Sequence, residues 1–93
     1  MNDRVMSSPT ADELRATMLE LLAVRDASSS ICPSEVARAH GEDGWRDLMD
    51  PVREVAKQLA ERGEIIVTQG DETVDIARAR GPIRLRRGPT WRD

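Results

Sequence analysis

Few residues of this 93-residue chain have the chemistry to act as nucleophile, base or metal ligand. It holds one cysteine and one histidine, Cys32 and His40. A Cys–His dyad needs hydrogen-bond reach, about 3 Å. Eight positions on one helix put the two about 12 Å apart along its axis, so they cannot meet. A single cysteine also excludes an intramolecular disulfide, and a metal site here would have to be built mainly from carboxylates. The acidic turns "GEDG" and "GDET" do not extend to a calcium loop, and no glycine-rich phosphate loop is present. The expectation is a non-enzymatic protein without cofactor or metal.

Charge is the remaining chemistry. The net charge is −3, but residues 1–77 hold eight basic and sixteen acidic side chains, whereas residues 78–93 hold six arginines and only Asp93. A basic end on an acidic body suits either a polyanionic partner or pairing with its own domain.

The elements that position these charges can be read from periodicity. Residues 1–9 read as a disordered arm. Thr10 and Glu13 have capping-box spacing. Leu14, Met18, Leu21 and Leu22 then form an apolar stripe interrupted only by Thr17, which predicts a helix ending near Arg25. "SSS" at 28–30 breaks it. Cys32 falls at the cap of a second, short helix, with Pro33 suited to its first turn. Val36, Ala37 and Ala39 face inward and Gly41 closes it. Trp45, Leu48 and Met49 mark one helical turn, and Trp45 is the natural large core filler, since Phe and Tyr are absent. Asp50-Pro51 reads as a fresh cap and start. A third helix follows over 51–62, with Val52, Val55, Ala56 and Leu59 inside. After Gly63 the period changes to two. "EIIVTQ" and "TVDIAR" across "GDE" read as a hairpin. "GPIRLRR" reads as a third strand, with Ile83 and Leu85 to one side and Arg84 and Arg86 to the other.

Three main helices followed by a two- to three-stranded β wing is the order of an α+β, winged helix-turn-helix-like domain. It spans residues 10–87, with 88–93 a loose tail in which Trp91 packs back on the domain or stays partly free. The polar N-terminus carries no signal-peptide core, and nothing is apolar enough for a membrane span. The cytoplasm of a prokaryote is the expected compartment.

"CPSEVAR" (32–38), "GWRDLMDPVREVAKQLAERGEIIVTQG" (44–70), "VD" (74–75) and "GPIRLR" (81–86) together resemble a bacterial family of short proteins of unknown function with a winged-helix-like fold. The resemblance implies that fold over roughly residues 11–87 and carries no activity with it.

In a helix-turn-helix the second helix of the motif enters the major groove. The candidate nucleic-acid contacts are therefore Arg53, Lys57, Gln58 and Arg62 on helix 51–62. Arg78, Arg80, Arg84, Arg86 and Arg87 on the wing complete the set. Glu54 and Glu61 share the helix face and oppose phosphate. Arg84 or Arg86 can equally pair with Asp75 across the sheet. The favoured reading is a DNA-binding module using helix 51–62 and the arginine wing; the alternative is a protein-interaction or structural module, a winged helix that no longer reads DNA. The sequence leaves the oligomeric state undetermined.

Overall fold

The computed structural model describes residues 9–41 and 43–91. Of the arm expected over 1–9, residues 1–8 lie outside the described residues, as do Arg92 and Asp93. Helix α1 (Ala11–Ala23) opens on the capping box read from the sequence: Thr10 N donates to Glu13 Oε1 (2.9 Å) and Glu13 N to Thr10 Oγ1 (3.1 Å). A short strand β1 (Ser30–Ile31) precedes α2 (Pro33–Ala39), whose N-cap is Cys32. A 3₁₀ turn (Trp45–Leu48) runs directly into α3 (Met49–Glu61). Strands β2 (Ile65–Gln69), β3 (Glu72–Thr73) and β4 (Arg84–Arg87) complete the chain.

Among the described residues the fold is α+β, three α-helices with a four-stranded antiparallel sheet in the order β1-β4-β2-β3. β4 pairs on one side with β1 (Ser30 opposite Arg86, Ile31 opposite Leu85) and on the other with β2 (Val67 opposite Leu85, Thr68 opposite Arg84). Leu14, Met18 and Leu22 of α1 join Val36 and Ala37 of α2 and Val52, Val55, Ala56 and Leu59 of α3 in one core. Ile31, Ile65, Val67, Ile83 and Leu85 close it from the sheet side. Among the described residues no helix is long and apolar enough to cross a membrane.

Several expectations need correction. The serine break hides β1: Ile31 is fully buried, and Ser30 pairs with Arg86, 56 positions on in the chain. "TVDIAR" leaves the strand after its first residue, Thr73. Asp75 accepts from Ala77 N (3.0 Å) through its side chain and from Arg78 N and Ala79 N (both 2.9 Å) through its carbonyl, so a local turn displaces the ladder. α3 starts at Met49, not after an Asp50 cap, because the 3₁₀ turn already supplies its entry. Ala39 is exposed, and Trp45 is only half-buried at the core's edge, so the fully buried side chains are aliphatic or Met. Thr17, the polar break in the α1 stripe, donates its hydroxyl to Glu13 O (3.1 Å) and shares a hydrogen bond with His40 Nε2 (2.7 Å) at the end of α2. Cys32 and His40 thus cap opposite ends of that helix.

α3 ends in a Schellman motif. Gly63, with φ of 79°, donates to Ala60 O (3.0 Å), and Glu64 N donates to Leu59 O (3.0 Å). The left-handed residue turns the chain into β2. The segment after β4 is docked on this same corner: Gly88 N donates to Glu64 O (2.9 Å), Thr90 N to Gly63 O and Thr90 Oγ1 to Arg62 O (both 3.0 Å). Residues 88–91, expected as the start of a loose tail, are therefore bonded to the domain, and Trp91 packs against the core.

Candidate nucleic-acid interface

The nine sequence-predicted site residues fall into three places. On β4 the alternation holds: Ile83 and Leu85 are buried, and Arg84 and Arg86 leave from the opposite face. Those arginines bond to their own chain. Arg84 donates from Nε to Ser30 Oγ (2.9 Å) and from Nη2 to Ser30 O (3.0 Å); Arg86 Nη2 donates to Ser28 O (3.1 Å). The expected pairing with Asp75 is replaced by these carbonyls.

Arg87 faces the helix side. Its guanidinium reaches Leu22 O (3.1 Å from Nη2), Ala23 O (3.2 Å) and Arg25 O (2.8 Å). α1 has no basic residue in its last turn. Arg87 supplies from β4 the positive charge and the donors that the helix C-terminus requires. It also stands 5.0 Å from the Trp91 ring centroid.

The link between α1 and α2 is held from its other side by Glu35. Burial alone would raise this carboxyl's pKa. The hydrogen bond from Cys32 N (2.9 Å), the Arg25 guanidinium (2.7 Å) and the nearby Arg84 charge outweigh burial and hold it below the usual carboxylate range. Residues 22–35 are thus laced to β4 and α2 by four arginines and one glutamate.

The second group lies on α3. Asp50, Glu54, Lys57 and Glu61, at i, i+4, i+7 and i+11, run down the middle of the face opposite the buried residues. Its three carboxylates are exposed. Arg53 sits at the side of this stripe and leans toward Ala79 O (3.4 Å). Gln58 flanks the other side, and Arg62 caps the helix 3.8 Å from Glu64. Arg53, Glu54 and Lys57 share a shallow cleft with Asp50, Ile76 and Ala77. The third group, Arg78 and Arg80, is exposed on the turn that follows β3, and Gln69 Nε2 donates to the Arg80 and Pro82 carbonyls. The hairpin tip itself is acidic, Asp71 and Glu72.

The structure therefore brings Arg53, Lys57, Arg78 and Arg80 to one side and separates them from Arg84, Arg86 and Arg87. Sequence reasoning missed a further cluster. Arg38 and Arg46 both stack on Trp45, at 4.5 and 4.7 Å from its centroid. Reading Trp45 as a core filler concealed its exposed side.

The family model described as protein of unknown function (DUF3253) matches residues 11–88. The chain belongs to this family. No curated protein matches it. The DUF3253 match runs from the first residue of α1 to Gly88, so it takes in all three helices, the whole sheet and the nine arginine, lysine and glutamine candidates.

Proposed function

We propose that this DUF3253 chain is a winged-helix-like, non-enzymatic interaction module whose partner is another protein rather than DNA. The winged-helix reading is supported by the succession α1, β1, α2, α3 and then a hairpin, with β1 pairing to the last strand. The observation that carries the choice of partner is where the charges go. A winged helix that binds DNA offers phosphate a basic recognition helix and a basic wing, because affinity comes largely from neutralising phosphates. Here the outward stripe of α3 is Asp50, Glu54, Lys57 and Glu61, the hairpin tip is Asp71 and Glu72, and the β4 arginines hold main-chain carbonyls. Of the charged groups that would meet a duplex, those of α3, the hairpin tip and β4 are acidic, set beside carboxylates, or engaged within the domain, which leaves Arg78 and Arg80 exposed on the turn after β3.

Amide shifts on titration with duplex DNA, at about 50 mM salt where phosphate contacts are strong, test this. The expected result is no progressive shift over 49–62 or 70–87. Shifts confined to those residues that fade steeply with added salt would establish DNA binding and overturn the proposal.

A further inference from the structure

A polar contact crosses the apolar seam between α1 and α2. Thr17 interrupts the stripe that Leu14, Met18 and Leu22 bury, and His40 is the C-cap of α2. Both side chains are half-buried. Thr17 Oγ1 lies 3.1 Å from Glu13 O and 2.7 Å from His40 Nε2. The backbone holds His40 in place, since its N–H donates to Ala37 O (3.1 Å). The other end of α2 is joined to the chain leaving α1 by the Arg25–Glu35 pair (2.7 Å). The seam is therefore closed by a polar contact at each end of α2.

A threonine hydroxyl has one proton to give, and a main-chain carbonyl can only accept. The 3.1 Å contact with Glu13 O therefore uses the hydroxyl proton, as helical threonines do when they bond the carbonyl four residues back. The 2.7 Å contact must then take its proton from the imidazole. We infer that His40 carries a proton on Nε2 and donates it to Thr17 Oγ1, so that Nε2–H, the Thr17 hydroxyl and Glu13 O form a directed relay from α2 into α1. Each bond of such a chain polarises the next. The neutral ring keeps its lone pair on Nδ1. The imidazolium donates from Nε2 equally well, so the relay survives in either charge state of the ring. The form that breaks it is the neutral Nδ1–H tautomer, which would leave Thr17 with two acceptors and one proton. His40 is thus a positioning residue that fixes how α2 sits on α1, and its Nε2 is spent on that contact.

Long-range proton–nitrogen correlation NMR on the full chain tests this, and the chain has a single histidine to assign. With pH raised until the ring signals stop moving, Nε2 should show the shift of a protonated nitrogen and Nδ1 that of a lone-pair nitrogen. The Nε2–H should give a resolved proton resonance that exchanges with water about tenfold more slowly than in Thr17→Val, the factor one ordinary hydrogen bond confers. Thr17→Ser keeps the hydroxyl and should restore slow exchange, which a merely space-filling Thr17 would not require. His40→Gln places an amide N–H where Nε2–H was and should hold the Glu13 and Thr17 amide shifts near those of the parent, whereas His40→Leu should move them. A proton on Nδ1, an Nε2–H that exchanges as fast in the parent as in Thr17→Val, or equal shifts in the two His40 variants would overturn the inference. If a variant fails to fold, the tautomer of the parent chain decides by itself.

Discussion

Replacing Arg87 by methionine keeps most of the side chain's length and apolar stem and removes its donors. Three main-chain acceptors at the end of α1, the carbonyls of Leu22, Ala23 and Arg25, then lose a charged donor, and Leu22 O keeps the Arg25 N–H (3.3 Å). A hydrogen bond from a charged donor contributes about 1.5–3 kcal/mol when buried. These carbonyls lie near the surface and water replaces part of the loss, so about 1 kcal/mol for each contact is the better figure. Removing the cation from the helix C-terminus adds about 0.3–1 kcal/mol, and the Trp91 stacking about 0.5–1 kcal/mol. The terms overlap, and a loss of about 3 kcal/mol is expected for Arg87→Met. A small domain has only about 5–15 kcal/mol in total. At about 4–8 °C per kcal/mol, Tm should fall by about 12–24 °C. Urea unfolding followed by circular dichroism measures the difference. Arg84→Ala, which gives up two contacts to Ser30 at an exposed position, serves as the comparison and should cost about 1 kcal/mol. If Arg87→Met stays within about 0.5 kcal/mol of the parent, the size of an ordinary surface substitution, the structural assignment of this arginine is wrong.

Gly88→Ala should destabilise by about 3 kcal/mol or more, because the new methyl would overlap Gly63 O and lie 2.8 Å from Ile65 N and 2.9 Å from Glu64 C, all backbone that cannot swing aside; thermal unfolding reads this directly. Glu35→Gln keeps the cap and removes the charge. Because the folded-state pKa of Glu35 is lowered, its charge stabilises the fold fully above the unfolded value and loses that effect as pH falls through the folded one. The stability gap between parent and Glu35→Gln should therefore be largest near neutral pH and close on acidification below about pH 4, where unperturbed glutamate protonates. A gap that is constant from pH 3 to 7, or widens in acid, contradicts the assignment.

Local signals carried most of the helical framework. The Thr10–Glu13 box, Pro33 after Cys32 and Gly63 after α3 each state a helix end in a few adjacent residues, and each lies within two residues of an observed helix end. What depended on distant partners was not legible. β1 has two residues and exists because Ile31 and Ser30 find Leu85 and Arg86 at the far end of the chain. Val74 and Ile76 alternate as a strand would, but the Asp75 side chain captures its own backbone first. The arginines show the same limit. Alternation put Arg84 and Arg86 on the outer face, and periodicity put Arg53 and Lys57 on the outer side of α3. Neither could reveal that Ser28, Ser30 and the end of α1 offer carbonyls to β4. Nor could composition show that Trp91 and α1 enclose a groove, since, Glu64 aside, its walls are 67 or more positions apart in sequence.

The central claim is that the arginines of β4 belong to the fold and not to a ligand. NMR of the arginine side chains tests it most directly, because Nε–H of Arg84 faces Ser30 Oγ at 2.9 Å and Nε–H of Arg87 faces Leu22 O at 3.3 Å. Both protons should give separate resonances that exchange slowly with water and do not move when duplex DNA is added. Two resonances that exchange as fast as those of a free arginine, or that sharpen and shift only in the presence of DNA, would contradict the account.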